Sequence, residues 1–168
     1  MKNVTFREAI PEDGAGMLAV HLAAIRAIDD RFYGPEIRES WAYGLKAEGY
    51  ARSVAGGEQI DVAIRNPDEV LAFCGRQDGE LFGLFVHPKA QGLGIGTVFL
   101  DRVEMQFAAE GRSDVELDAA LNAQSFYEAR GWKLIGIHEK KTRGGLMQRV
   151  ARMAKNLKIQ SMMRGSEG

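Results

Sequence analysis

The sequence predicts one mixed α/β domain. Strand-like alternating segments and segments with helical apolar spacing interleave from one end of the chain to the other. An Asp78-Gly79 dipeptide joins two strand-like runs in the manner of a hairpin, and a glycine-dense turn leads from a strand directly into a helix. The 168 residues suffice for one core and are short for two. No repeat, linker or low-complexity tract divides them, so the expected domain is residues 1–160, followed by a polar tail over 161–168.

Each element has its own signal. "NVTFREA" alternates as a first strand and is closed by Pro11. "PEDGAGMLAVHLAAIRAI" carries Leu18, Leu22, Ile25 and Ile28 at helical spacing behind Glu12 and Asp13, which suit the positive end of a helix dipole. "DDRFYGPE" is a turn-rich connection, and "EIRESWAYGLKAEGY" reads as one second helix with Trp41 and Leu45 on one side. "QIDVAIRN" and "EVLAFCGRQ" read as strands, and Asp78-Gly79 makes the latter an antiparallel neighbour of "ELFGLFV". "TVFLDRVEMQFAAEG" places Leu100, Val103 and Phe107 on one helical face and ends near Gly111. "SDVELDA" is a further strand. "NAQSFYEARG" is a short helix opened by Asn122 as N-cap and closed by Gly131. "WKLIGIHE" and "MQRVARMAKNL" complete the order β-α-α-β-β-β-α-β-α-β-β.

The bulk numbers exclude several classes. Hydrophobic content of 45%, charged content of 27% and a net charge of −1 are those of an ordinary globular chain and make no case for nucleic acid. The charge is uneven, however: residues 138–168 hold 8 Lys/Arg against 2 Asp/Glu, leaving 14 against 21 in the rest. A basic end of this kind is a solvated tail or a hold for an anion. Cys74 is the single cysteine, which rules out an internal disulfide and a cysteine-rich zinc site. Within apolar "VLAFCGR" it reads as a buried, inert thiol. "MKNVTFREAIPEDG" lacks a signal peptide's apolar run and no segment reaches about 18 apolar residues, so the expectation is a cytoplasmic chain with no membrane partner.

The chemistry concentrates in "FVHPKAQGLGIGTVFL", which sets Gly92, Gly94 and Gly96 within five residues. A nucleotide-hydrolase loop needs a lysine after its last glycine, and none is present. A dinucleotide fingerprint needs GxGxxG after a first strand; here the spacing is one position short and at least three strands precede it. A third reading fits: a strand ends at Val86-His87-Pro88, and a helix begins near Ile95 with its first amides pointing outward. Glycines there let a phosphate approach the backbone without meeting a Cβ, each bond to a charged acceptor contributing on the order of 1.5–3 kcal/mol. The bland alternative is that the glycines serve tight strand–helix packing.

Val86, Gln91, Gly92, Gly94 and Gly96, as V-x-P-x-x-Q-G-x-G-I-G, resemble the acyl-CoA loop of the GNAT superfamily, with core [QR]-x-x-G-x-[GA]. "LNAQSFYEARGWKLIG" resembles that family's second signature, N-x-x-[AS]-x-x-[FY]-Y-x-x-x-G-[FW]. The element order matches over about residues 3–157. The resemblance implies a mostly antiparallel sheet flanked by helices, and acetyl-CoA or another acyl-CoA as donor, with no metal called for. It implies that the strand Leu84-Phe85-Val86 splays from the next one, Val115–Leu117, and that the pantetheine arm lies between them. Gln91, Gly92, Leu93, Gly94, Ile95 and Gly96 would hold the pyrophosphate, with Thr97 close behind, and Asn122 and Phe126 would line the thioester end and cofactor wall.

Acyl transfer to an amine needs a deprotonated amine, a stabilised thioester oxygen and a protonated leaving thiolate. Tyr127 falls on the family's tyrosine, and a phenol of pKa ~10 matches a departing thiolate; the backbone amide of Phe85 or Val86 is the oxyanion donor by analogy. Its alternative is a packed ring with one structural hydrogen bond. For the base, Glu80 lies six residues before Val86, the offset of the catalytic glutamate in protein-lysine members, and burial against Phe82 and Leu84 would raise its pKa. A turn-flanking solvated carboxylate, Glu116, Asp118 or a water chain are the alternatives, and His21 reads as half-buried packing. Phe32, Tyr33, Trp41 and Tyr43 beside Asp29, Asp30 and Glu39 suit a cationic amine, though each aromatic is otherwise core. The expected function is acetyl transfer from acetyl-CoA to a primary amine of a small molecule or peptide; the alternative is an acyl-CoA-binding sensor or partner module without turnover. No residue decides between a monomer and a homodimer, a state common in the family.

Overall fold

Asp78 and Gly79 both take positive φ (51° and 82°), so the two residues form the tight turn that their identities predict. They fold strand β3 (Glu69–Gln77) back on β4 (Glu80–Val86) with Gln77 opposite Glu80. The computed structural model describes residues 3–158; the expected tail over 161–168 lies outside the described residues. Beside β3 and β4 stand β1 (Val4–Glu8), β2 (Gln59–Arg65), β5 (Asp114–Ala120), β6 (Lys133–Lys141) and β7 (Met147–Asn156). They form one seven-stranded sheet in the order β1-β2-β3-β4-β5-β7-β6. Every neighbouring pair is antiparallel except β4 with β5.

Alternation sorts the strand residues onto two faces. Ala63, Cys74, Leu117 and Met153 pack against α4 (Ile95–Ala109), whose Phe99, Leu100, Val103 and Phe107 are fully buried. Val62, Val70 and Phe73 pack with Met17 and Val20 of α1 (Gly14–Arg26). Burying one such side chain contributes roughly 1.5–3 kcal/mol, so these clusters hold both layers to the sheet.

Two local expectations are corrected. The single helix expected over 36–50 is two, α2 (Pro35–Ala42) and α3 (Ala47–Ala55). Gly44 turns left-handed at φ 68° and Lys46 is extended, which stops one helix and starts the next. Asn122 is not a helix cap. It sits inside a 3-10 turn, Leu121–Ala123, and α5 (Gln124–Glu128) begins behind Ala123 with no side-chain cap. The turn is anchored from afar, because the Leu121 amide donates to the Tyr33 hydroxyl (2.9 Å).

Three cations of the basic end are paired within the described fold. Lys155 is buried and pairs with Glu104 of α4 at 2.8 Å while donating to the Arg130 carbonyl at 2.7 Å. Arg152 and Lys140 pair with carboxylates of β4 and β5. Among the described residues no helix is long and apolar enough to cross a membrane.

Candidate active site

β4 and β5 pair only at Glu80–Glu116 and Leu81–Leu117. Beyond that point Phe82–Val86 and Asp118–Ala120 run on without pairing each other. The opening therefore faces 118–120, rather than the Val115–Leu117 segment expected to splay, part of which is the paired portion itself. A bulge between Gly75 and Arg76 of β3 accompanies the divergence of β4.

The opening continues into a cavity of about 520 Å³. Leu84, Phe85 and Val86 form one wall, and Ala120, Asn122, Ala123, Phe126 and Tyr127 another. Ala24 and Ile25 of α1 and Ile28 just beyond it, with Trp41 of α2, close its far end. At the near end Gln91, Gly92, Gly94, Ile95, Gly96 and Thr97 line it. Gly92 and Gly94 have φ of 77° and 81°, and a Cβ on either would meet no atom within 4 Å. Their side of the chain is thus open space beside bare backbone. Gly94 is the N-cap of α4, and the first helical bond runs from the Val98 amide to the Gly94 carbonyl at 3.1 Å. The amides of Ile95, Gly96 and Thr97 precede it and point out of the helix end. Gly96 is a packing glycine, since a Cβ there would stand 3.2 Å from the Phe126 ring.

Tyr127 is 6% exposed, with its ring edge-on to Phe126 and Trp132. Burial, and after it the nearby Cys74, pushes its phenol pKa up, so the group stays protonated at neutral pH and is a weaker acid than a free phenol. Cys74 itself is buried and its thiol is likewise pushed up by burial, consistent with an inert role.

Arg130 is a residue the sequence reading passed over, and among the described residues it is the one charged side chain lining the cavity. Its guanidinium lies 3.8 Å over the Phe126 ring. Nη2 and Nε donate to Thr97 Oγ1 at 2.6 and 3.2 Å, and Nη1 donates to the Phe126 carbonyl at 2.8 Å. The signal was available in "SFYEARGW": Arg130 follows Tyr127 by three residues, one turn further along the same face. Ile25 and Ile28, which the sequence marks as core, also serve as cavity wall.

The other candidates stand elsewhere. Glu80 does not line the cavity; its carboxylate takes Arg152 Nη1 at 2.9 Å. The same guanidinium binds Glu116 and, at 3.4 Å, Asp118. Burial would raise the Asp118 pKa, but His138 (2.9 Å) and Lys140 (3.3 Å) hold it below the usual carboxylate range. Leu93 is 42% exposed and outside the cavity. Phe32 is exposed beneath Arg31, 5.3 Å from its guanidinium carbon. Tyr33 is buried as a clasp: its hydroxyl donates to the Arg149 carbonyl (2.5 Å) while accepting from Leu121. Of the early aromatics expected at the acceptor, Trp41 alone lines the cavity. Asp29, Asp30 and Glu39 pair outward with Arg31, Arg38 and Arg26 and do not stand beside it as expected.

His21 sits behind the far wall. Its ring lies 3.9 Å from Phe85 and 6.1 Å from Trp41, centroid to centroid, and Nδ1 shares a 2.6 Å bond with the Tyr50 hydroxyl. Nε2 is buried with no partner. Burial first, then the positive Arg143, brings the His21 pKa down to about 4, so the ring is neutral at pH 7. Burial likewise pushes Tyr50 up to about 12.

Against known proteins, the family model described as acetyltransferase (GNAT) domain matches residues 33–157. The chain is similar to the uncharacterized N-acetyltransferase YafP of Escherichia coli, at 24% identity over 86% of this chain and 91% of that one. It is also similar to a crystal structure of a GCN5-related N-acetyltransferase, "Aminotransferase, Class-II", from Rhodopseudomonas palustris. That match has a TM-score of 0.84 and 25% identity, covering 93% of this chain and 97% of that one. The PaiA N-acetyltransferase of Thermoplasma acidophilum, solved in complex with coenzyme A, shares the fold with a TM-score of 0.70. Its identity is 20%, over 91% and 98% of the two chains.

Proposed function

This chain belongs to the GNAT acetyltransferase family and is an N-acetyltransferase that uses acetyl-CoA, and from that premise we propose that it carries out direct transfer to a primary amine in the cavity between β4 and β5. The single observation that carries the reading is the strand opening that runs into a bare glycine turn. It fits a long ligand whose polyanionic end meets helix amides and whose neutral arm meets an unpaired strand.

Acetyl-CoA, when bound, supplies the electrophilic thioester carbonyl. The amides of Ile95, Gly96 and Thr97 bind phosphate with the positive end of the α4 dipole behind them. Arg130 adds the cation, held flat by Phe126 and Thr97. Gly96 lets Phe126 approach α4 closely enough to wall the site. The free edge of Leu84–Val86 pairs with the arm as an added strand would, and the Phe85 or Val86 amide stabilises negative charge on the carbonyl oxygen. Tyr127, kept protonated by burial, hands its proton to the departing sulfur and regains one from the attacking nitrogen, which sheds a proton as the amide forms. The enclosing α1 and Trp41 surfaces exclude water. A cytoplasmic setting is in keeping with this donor and with a free, buried Cys74.

The test is thiol release from acetyl-CoA across a panel of primary amines, with Tyr127→Phe beside wild type. The expected result is a kcat lower by about 100-fold or more for the variant, with the KM for acetyl-CoA within threefold. An unchanged kcat removes Tyr127 from the reaction, and no release with any amine removes the proposed transfer.

A further inference from the structure

The acceptor end lies where Trp41 and Phe85 meet α1, and its charge is one-sided. Among the described residues no Asp or Glu lines the cavity. Glu39, the carboxylate nearest in sequence to Trp41, pairs outward with Arg26. An ammonium entering here finds no counter-charge.

An exposed cation, by contrast, is fastened beside this end, just outside the cavity lining. Arg143 sits at the tip of the β6–β7 hairpin, and the tip is fastened to the last turn of α2. Ser40 and Thr142 share a 2.6 Å hydroxyl bond, the Gly144 amide donates to the Ser40 carbonyl (2.7 Å), and the Leu146 amide donates to Ser40 Oγ (3.3 Å). The fit leaves no slack: a Cβ on Gly144 would come within 2.5 Å of Ser40 Oγ. Arg143 Nε then donates to the Tyr43 carbonyl at 3.2 Å. Ser40 and Tyr43 flank Trp41, so the hairpin tip and the cavity's far wall share one turn of helix. The terminal amino groups of Arg143 make no hydrogen bond or ion pair among the described residues. Its charge also reaches the bonded pair His21 and Tyr50 behind Phe85, where it opposes a second positive charge.

Resting on the acetyl-transfer reading above, we infer that the acceptor is a small primary amine that also carries an anionic group, and that Arg143 binds that group. Such an acceptor brings its own counter-charge and turns Arg143 from a barrier into a ligand, with a fork suited to a carboxylate. The apolar far wall of Ala24, Ile28, Trp41 and Phe85 suits an apolar remainder. Polyamines and lysine-rich peptides, which bring extra positive charge, are disfavoured at this end.

Matched pairs test this: L-phenylalanine against 2-phenylethylamine, and L-methionine against 3-(methylthio)propylamine, with spermidine and a lysine peptide alongside. kcat/KM is measured by thiol release at saturating acetyl-CoA for wild type, Arg143→Met and Arg143→Glu. Comparing the ratio within each pair between proteins cancels the difference in amine pKa. The expected outcome is at least a tenfold larger amino-acid-to-amine ratio in wild type than in Arg143→Met, inverted order in Arg143→Glu, and an unchanged KM for acetyl-CoA. Equal ratios in all three proteins overturn the inference, as does a preference for spermidine or the lysine peptide; both leave acetyl transfer standing. Absence of thiol release with every compound overturns the transfer reading as well.

Discussion

Replacing Arg130 by methionine keeps most of the side-chain bulk over Phe126 and removes the one cation that lines the cavity among the described residues. Of the five guanidinium N–H groups, two point at Thr97 Oγ1 and one at the Phe126 carbonyl, which leaves one on each terminal nitrogen for a ligand. A hydrogen bond to a charged acceptor contributes about 1.5–3 kcal/mol, so losing one weakens binding roughly ten- to hundredfold. Calorimetric titration with acetyl-CoA and with S-acetylpantetheine, which lacks the phosphates, separates the two ways this can happen. The expected result is the full loss for acetyl-CoA and less than a twofold change for S-acetylpantetheine. Arg130→Lys, with charge but no fork, should fall between wild type and methionine. Equal weakening of both ligands would refute the reasoning, because Arg130 would then act by holding α5 against α4. No weakening of either would refute it too.

Two further predictions concern stability. In the unfolded chain His21 takes a proton near pH 6.5, and in the folded one only near 4. The unfolded state therefore binds more protons in that window, so stability is full above pH 6.5 and declines by about 3 kcal/mol as pH falls to 4. Urea denaturation of wild type and His21→Gln at pH 7.5, 5.5 and 4.5 checks this: the difference between the two proteins should narrow toward low pH, and parallel curves would contradict it. Glu104→Ala strands Lys155, whose side chain is 5% exposed, and should destabilise by about 3–5 kcal/mol. Adding Lys155→Met to that variant should recover part of the loss in the same assay.

The legibility of this protein follows from how locally each feature is determined. The glycine turn was readable because the need for positive φ is written in the residue type at Gly92 and Gly94. The β3–β4 hairpin was readable for the same reason. The break between α2 and α3 was missed although Gly44 marks it, because Trp41 and Leu45 kept helical spacing across it. Asn122 was misread as a cap because the amide that fixes its turn, that of Leu121, is held by Tyr33, far away in the chain. Glu80 was chosen by its offset along β4, but its partner Arg152 comes from another strand and no local pattern announces it. Arg130 was within a quoted motif yet gains its meaning from Thr97, on a helix packed against its own.

The same charge map predicts how the rate depends on pH. His21 titrates near 4, the Tyr127 phenol is raised by burial, and Asp118 is held low by His138 and Lys140. None of these changes charge between pH 6 and 9, and among the described residues no carboxylate lines the cavity. The proton lost by the amine then leaves before attack, and the rising limb belongs to the acceptor: an apparent pKa ~8 for an α-amine of peptide type or ~10.4 for a lysine-like one. The measurement is kcat/KM against pH with two acceptors of different amine pKa, in wild type and Glu80→Gln. The limb should move with the acceptor and keep its place in Glu80→Gln, whose activity should stay within tenfold of wild type. A limb that stays fixed while the acceptor changes, and that Glu80→Gln abolishes, would show instead that Glu80 leaves Arg152 during turnover to act as the base.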